Sequence, residues 1–150
     1  MTHGAFYGHF ASKEALAAEA AAHALGQTTG RWKGLLESAG DQGLREIIDL
    51  YLSPKHRDAP GAGCAIAALG PEIARQDASL RDAFATEVTQ QLDTLASFMP
   101  GQTPGHRKTQ AMALLAQMVG AIVISRVLGR KATSDDVLNA ARHALQSSLQ

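Results

Sequence analysis

The chain has 150 residues, enough for one compact domain with a real core, and 45% of them are hydrophobic. Its formal net charge is zero, so any contact with nucleic acid must come from a local basic patch and not from the field of the whole domain. One cysteine excludes an intrachain disulfide, and the lack of a basic region followed by an apolar run at the N-terminus predicts a cytoplasmic protein without a secretory signal.

After its first methionine the chain reads Thr-His-Gly-Ala-Phe-Tyr-Gly-His-Phe-Ala-Ser-Lys. Phe6 and Phe10 are four residues apart, so they would share one face of a short helix. Tyr7, His9 and Lys13 can donate hydrogen bonds to phosphate oxygens, and the small residues between them would let a backbone approach a groove closely. The segment therefore predicts a small surface that faces anions.

Helical spacing of apolar residues recurs along the rest of the chain, and no segment of useful length alternates as a strand does. The first helix is predicted from Lys13 to about Ala24, with Ser12 as its N-cap. Two later glycines weaken an extension to Leu36, which stays open. The second helix is predicted over residues 44–52, where apolar side chains follow the spacing of a buried stripe.

The middle of the chain combines a loop with two further helices. Residues 54–63 contain two prolines and two glycines among charged residues, which predicts a loop. A shorter helix is predicted over 66–73, with a kink or break at Pro71. A long helix with its apolar face turned inward is predicted over 80–99, with Ser79 as its N-cap.

Two helices close the chain. The helix over about 106–128 is apolar on nearly all sides, which predicts burial by its own subunit on one side and by a partner on the other. Its apolar run at 111–124 is shorter than the roughly 20 residues that span a bilayer, so no membrane contact is expected. The last helix, 134–149, is predicted to have Ser134 as its N-cap. The fold class predicted from these elements is an all-α helical bundle.

The N-terminal segment resembles the signature of the TetR/AcrR family of bacterial transcriptional regulators. That signature runs Ser/Thr, any residue, Gly, aliphatic or Ala, Phe/Leu, Tyr, any residue, His/Tyr, Phe, and then Ser-Lys-Glu. So many matches in a fixed register rarely arise by chance, whereas the rest of the chain agrees with that family only in architecture. The matching residues are Thr2, Gly4, Ala5, Phe6, Tyr7, His9, Phe10, Ser12, Lys13 and Glu14.

The resemblance implies two parts: a remnant of a helix-turn-helix domain at residues 1–38, with the recognition helix and a connecting helix, and an effector-binding and dimerisation domain at 39–150. A recognition helix needs supporting helices before it, and this chain has no room for them. We therefore expect the chain to start at an internal methionine. The residues implied to contact operator DNA are His3, Gly4, Ala5, Tyr7, His9 and Lys13.

The same resemblance implies a homodimer in which a small, mostly apolar effector shifts the spacing of the two DNA-reading helices. Taken singly, each candidate effector residue is better explained as core, and only the group indicates a pocket. The candidate effector residues are Trp32, Tyr51, Ile66, Leu69, Phe84, Val88 and Met118. The predicted dimer interface on the last two helices consists of Leu115, Val119, Ile122, Arg126, Leu138, Ala141 and Leu145.

These expectations combine into a ligand-responsive transcriptional regulator, a repressor, with no catalytic residue, cofactor or metal. One alternative is an effector-binding and dimerisation module without DNA binding. Another is a small hydrolase built on His56, Asp58 and Cys64, for which no oxyanion motif is present. Cys64 at a helix start could also sense oxidants or electrophiles, although a small buried apolar role is the favoured interpretation. The histidines show no paired ligand spacing for a metal.

Overall fold

The computed structural model describes residues 13–149, and all regular structure in that part of the chain is helical. The predicted all-α helical bundle is confirmed. Short 3-10 turns at Gly40–Gln42 and Pro60–Ala62 join some of the helices. The α-helices are α1 Lys13–Ala39, α2 Gly43–Tyr51, α3 Pro54–Arg57, α4 Ala65–Ile73, α5 Ala78–Phe98, α6 Pro104–Leu128 and α7 Ala132–Ser148.

Helix α1 runs without a break for 27 residues, through Gly26 and Gly30. Each glycine inside a helix costs about 1 kcal/mol relative to alanine. The helix nevertheless continues because one face is buried along most of its length, with Ala21, Leu25 and Leu36 at helical spacing in the core. Tertiary packing of an amphipathic face contributes more to helix stability than local propensity does.

The segment predicted as a loop after α2 contains one helical turn, α3. Its N-cap is Ser53, whose Oγ accepts a hydrogen bond from the His56 backbone N–H at 3.2 Å. Pro54 occupies the first turn, where its missing N–H and fixed φ favour a helix start. The prediction of a plain loop over 54–63 is therefore wrong in both halves, since local capping was sufficient to form α3 and a 3-10 turn follows at Pro60–Ala62.

Two predicted N-caps are also wrong. Helix α5 begins two residues earlier than expected, because the Asp77 carboxylate accepts a hydrogen bond from the Leu80 N–H at 3.0 Å, and Ser79 lies within the helix. Helix α7 begins at Ala132, and Ser134 lies in its first turn with its hydroxyl turned inward. That hydroxyl donates to the Ser125 carbonyl at 2.7 Å, so it joins α7 to α6 instead of capping α7.

The buried apolar residues form two clusters. The larger joins α1, α2, α4, α5, α6 and α7, and the smaller joins α1, α4 and α5. Buried members of the larger cluster include Leu36, Ile48, Leu52, Leu95, Met118, Ile122 and Leu138. The smaller cluster consists of Ala21, Leu25, Ala65, Ile73, Leu80 and Phe84.

Helix α6 is long and apolar enough to cross a membrane, judged by length and composition alone. The core helix of a soluble protein has the same properties, and one face of α6 packs into the larger cluster through Leu114, Met118 and Ile122. The other face leaves large apolar side chains exposed. These are Met112, Val123, Ile124 and Val127.

Candidate ligand-binding site

A cavity of about 460 Å³ lies between α1, the end of α2 and the segment that follows α2. This volume falls in the range of small-molecule sites, roughly 300–1,000 Å³. Exposed side chains at its edge leave it open to solvent. Its lining consists of Thr28, Arg31, Trp32, Leu35, Leu50, Tyr51, Ser53, Lys55, His56, Ala59, Ala62, Gly63 and Cys64.

Three rings from three elements form one wall of the cavity. The Tyr51 ring on α2 lies edge-on to Trp32 on α1, with ring centroids 5.9 Å apart and planes at 66°. It also lies edge-on to His56 on α3, with centroids 4.5 Å apart and planes at 69°. Edge-to-face contacts of this kind are preferred by aromatic quadrupoles, so the wall is a packed and oriented surface.

The His56 ring is held by both of its nitrogens. Nε2 lies 3.0 Å from the Cys64 backbone nitrogen, and Nδ1 lies 2.7 Å from the Tyr51 carbonyl oxygen. Because a backbone N–H can only donate, Nε2 is the acceptor, and Nδ1 carries the proton that it donates to the carbonyl. Burial lowers the pKa of His56 below its usual range, against the Tyr51 hydrogen bond that raises it, and the Arg126 charge lowers it further. The neutral ring therefore joins the end of α2 to the start of α4 through these two hydrogen bonds.

The Tyr51 hydroxyl is buried in the same wall beside the Cys64 thiol, and no nitrogen or oxygen atom of a described residue forms a hydrogen bond with it. Burial, and secondarily the neighbouring Cys64, raise the pKa of Tyr51 above its ordinary value, so the hydroxyl keeps its proton. A buried hydroxyl without a partner costs about 1–3 kcal/mol. The wall therefore contains one polar group that the described part of the chain leaves unsatisfied.

The segment beneath the cavity is tied to α6 by Arg126. Its Nε donates to the Arg57 carbonyl oxygen at 3.1 Å, and its Nη2 donates to the His56 carbonyl oxygen at 3.2 Å. The arginine therefore holds the backbone of α3, which presents the His56 ring to the cavity.

A second arginine ties the same segment to α7. The buried Arg57 side chain donates to Ser134 Oγ at 3.0 Å and to Asp135 Oδ1 at 2.5 Å. It also donates to Asp58 Oδ1 at 2.8 Å. Sequence reasoning missed this cluster. Ser134 and Asp135 follow Arg57 by 77 and 78 residues along the chain, and no periodicity connects them to it.

The hydrolase-like set does not assemble. Both His56 nitrogens are engaged with backbone groups, which leaves no free nitrogen to activate the Cys64 thiol. The Asp58 carboxylate bonds to Arg57 instead of His56, and that hydrogen bond lowers the pKa of Asp58. Among residues 13–149 there is likewise no group of three His, Cys, Asp or Glu side chains placed to hold a metal ion.

Two of the seven residues predicted to bind an effector, Trp32 and Tyr51, line the cavity, and the other five lie elsewhere. Met118 is fully buried in the larger cluster, and Phe84 is a member of the smaller one. Ile66 and Val88 pack against the smaller cluster, and Leu69 is 38% exposed. Apolar spacing identifies buried faces of helices without showing which of those faces border empty space.

Sequence reasoning missed most of the cavity lining, including Leu35, Leu50 and the residues after Ser53. One signal was present: Leu50 is a large apolar residue that the helical stripe leaves on the outer side of α2, and it is 65% exposed. The His56 ring had no signal of its own, since its place depends on bonds across the turn that follows it.

The predicted operator-contacting residues lie outside the described part of the chain. This holds for His3, Gly4, Ala5, Tyr7 and His9, and for the side chain of Lys13. Ser12, the predicted first N-cap, is also outside it.

Four of the seven residues predicted at a dimer interface are core residues of the chain itself. Leu115, Ile122, Leu138 and Leu145 are each at most 5% exposed and pack in the larger cluster. Val119 and Ala141 are partly buried against that cluster, and the Arg126 side chain bonds to the segment under the cavity. The large apolar side chains that α6 leaves exposed are on its other face.

Comparison with known protein families and with characterised proteins finds no match for this chain. Its function must therefore be inferred from its own residues and their geometry.

Proposed function

We propose that the chain is a ligand-responsive transcriptional regulator of the TetR/AcrR type, a repressor that binds operator DNA as a homodimer and takes a small, mostly apolar effector. The observation that carries the effector site is the Tyr51 hydroxyl, buried and unpartnered in the wall of an open cavity. Buried polar groups in folded proteins nearly always have a partner, and an acceptor on a bound ligand would supply one here. The resemblance of residues 2–13 supports the DNA-binding part.

The bonds under the cavity support a response to the ligand. A ligand that contacts His56 also bears on α3, whose carbonyls hold Arg126 of α6 and whose Arg57 side chain holds the first turn of α7. If the ligand binds one arrangement of these contacts better than another, it shifts the population toward that arrangement. The contacts that would shift are those of α6 and α7, and the exposed face of α6 is the one proposed to contact a partner subunit.

The effector site is tested with Prodan, a neutral naphthyl ketone whose carbonyl can accept the Tyr51 proton. Trp32 is the single tryptophan of the chain and lines the cavity, so its fluorescence reports occupancy directly. We expect saturable one-to-one binding. Tyr51→Phe should bind Prodan about tenfold more weakly, while its free energy of unfolding should rise by about 1 kcal/mol because the unpartnered hydroxyl is gone.

Thr89→Val is the matched control, because it removes an exposed hydroxyl on α5 that is not part of the lining. It should leave Prodan binding unchanged. Absence of saturable binding to the wild-type chain would contradict the effector site. Equal binding by Tyr51→Phe would show that the hydroxyl serves no ligand, and the lack of a gain in stability would show that the hydroxyl has a partner in the folded chain.

Dimerisation is proposed to use the exposed face of α6. Val127 is 83% exposed and Ile124 is 52% exposed, and the sequence has no charged residue between Lys108 and Arg126. Val127→Glu should convert a dimer into monomers in light scattering, because a charge would be buried without a partner. Ala85→Glu, on the exposed side of α5, should remain dimeric. A monomeric wild-type chain would refute the interface.

The DNA-binding part has its own test. A mobility-shift assay with the intergenic DNA upstream of the gene should show specific binding that weakens steeply with salt, because phosphate contacts release counterions. Prodan binding and dimerisation without any such shift would favour the alternative of a module that does not bind DNA.

A further inference from the structure

The charged residues of the cavity all have one sign. Arg31 of α1 and Lys55 of α3 line it, and no aspartate or glutamate does. Neither cation forms an ion pair with any side chain that the structure describes, whereas Lys33, Arg57 and several other basic side chains do. A cavity with unpaired cations and no carboxylate favours an anionic guest.

The uncharged polar groups of the lining are mostly committed to the chain itself. Ser53 Oγ donates to the Leu50 carbonyl at 2.8 Å and accepts from the His56 N–H. Thr28 Oγ1 donates to the Ala24 carbonyl at 3.0 Å and accepts from Arg31. Both nitrogens of His56 are also engaged.

The polar side chains that remain are Tyr51, Arg31 and Lys55, and all three can donate hydrogen bonds. They lie beside the apolar surface of Trp32 and Leu35. The cavity thus combines donors and positive charge with a flat apolar wall, so its complement has acceptors, negative charge and a flat apolar body.

We propose that the effector of this cavity is an aromatic organic anion, with an apolar ring system against Trp32 and Leu50 and a carboxylate or similar group facing Arg31 and Lys55. The inference rests on the proposed function and names the class of effector. Arginine is suited to the carboxylate because its planar fork can donate two parallel hydrogen bonds.

The size of the charge effect is set by solvent. Arg31 and Lys55 are exposed, so water and salt screen their attraction for an anion. We expect an anion to bind about tenfold more tightly than a neutral molecule of the same shape at low salt, and the preference to shrink at high salt.

The test compares 6-methoxy-2-naphthoate with 2-acetyl-6-methoxynaphthalene, an anion and a neutral ketone with the same ring system, by calorimetry and Trp32 fluorescence. The naphthoate should bind about tenfold more tightly at about 0.02 M salt and lose most of that preference at about 0.5 M salt. Arg31→Gln and Lys55→Gln should each reduce the preference, because each lowers naphthoate affinity more than ketone affinity. Arg31→Lys should retain it in part, and Arg81→Gln, on the exposed side of α5, should retain it fully.

The outcomes separate this inference from the function on which it rests. If the ketone binds as tightly as the naphthoate, the anion preference is overturned and the effector site stands. A naphthoate preference that survives both glutamine variants overturns the assignment to Arg31 and Lys55. If neither compound binds the wild-type chain, both the inference and the effector site fail.

Discussion

Replacing Gly63 by alanine is expected to lower the free energy of unfolding by about 3 kcal/mol and to weaken Prodan binding, because the new methyl group has no room. A Cβ atom at Gly63 would lie 2.5 Å from His56 Nε2 and 2.6 Å from its Cδ2. The ring cannot turn away without breaking its bonds to Cys64 and Tyr51. Gly63 has φ −99°, so the effect would be steric and not a matter of backbone conformation.

Gly61→Ala is the matched control for this change. It lies two residues away in the same turn, and a Cβ atom there would meet nothing within 4 Å. Its free energy of unfolding should stay within about 0.5 kcal/mol of wild type. Urea unfolding of both variants, followed by Prodan titration, checks the prediction. Equal stability of the Gly63→Ala and Gly61→Ala variants would mean that the His56 ring can move at little cost in free energy.

Replacing Gln91 by leucine is expected to raise the free energy of unfolding by about 2 kcal/mol. Gln91 is fully buried on α5, and neither of its amide atoms has a hydrogen-bond partner among residues 13–149. Burying an amide without partners costs free energy that an apolar side chain of similar size does not incur. Urea unfolding measures the gain directly.

Gln90→Leu is the control, because Gln90 is the exposed neighbour on the same helix. Its effect should lie within about 0.5 kcal/mol of zero. A Gln91→Leu variant less stable than wild type would contradict the prediction and indicate that an ordered water satisfies the amide.

Tyr51 and Gln91 are both buried with unsatisfied polar atoms, but their surroundings separate their roles. Tyr51 lines the cavity and Gln91 does not. Substitution should therefore stabilise the chain at both positions and weaken ligand binding only at Tyr51. Measuring stability and binding on the same two variants distinguishes a buried polar group that bonds to a ligand from one that only lowers the stability of the fold.

Sequence patterns predicted α2 well because its signal is local. Leu44, Ile47, Ile48, Tyr51 and Leu52 were expected to form one buried stripe, and all five are buried. The repeat of 3.6 residues per turn places such residues on one face wherever the chain is helical. The length of α1 was left open for the opposite reason, because its glycines and its buried face make opposing contributions that only packing resolves.

The amino-acid sequence by itself determined that the described chain is a helical bundle, since the spacing of apolar residues and the prolines at helix ends act over a few neighbouring residues. Only the tertiary structure decided where the cavity lies. Its wall depends on His56 bonding to Cys64 and on Arg126 holding the backbone 70 residues earlier. Contacts between segments so far apart leave no periodic trace in the sequence, because they are set by how the helices pack and not by how each one forms.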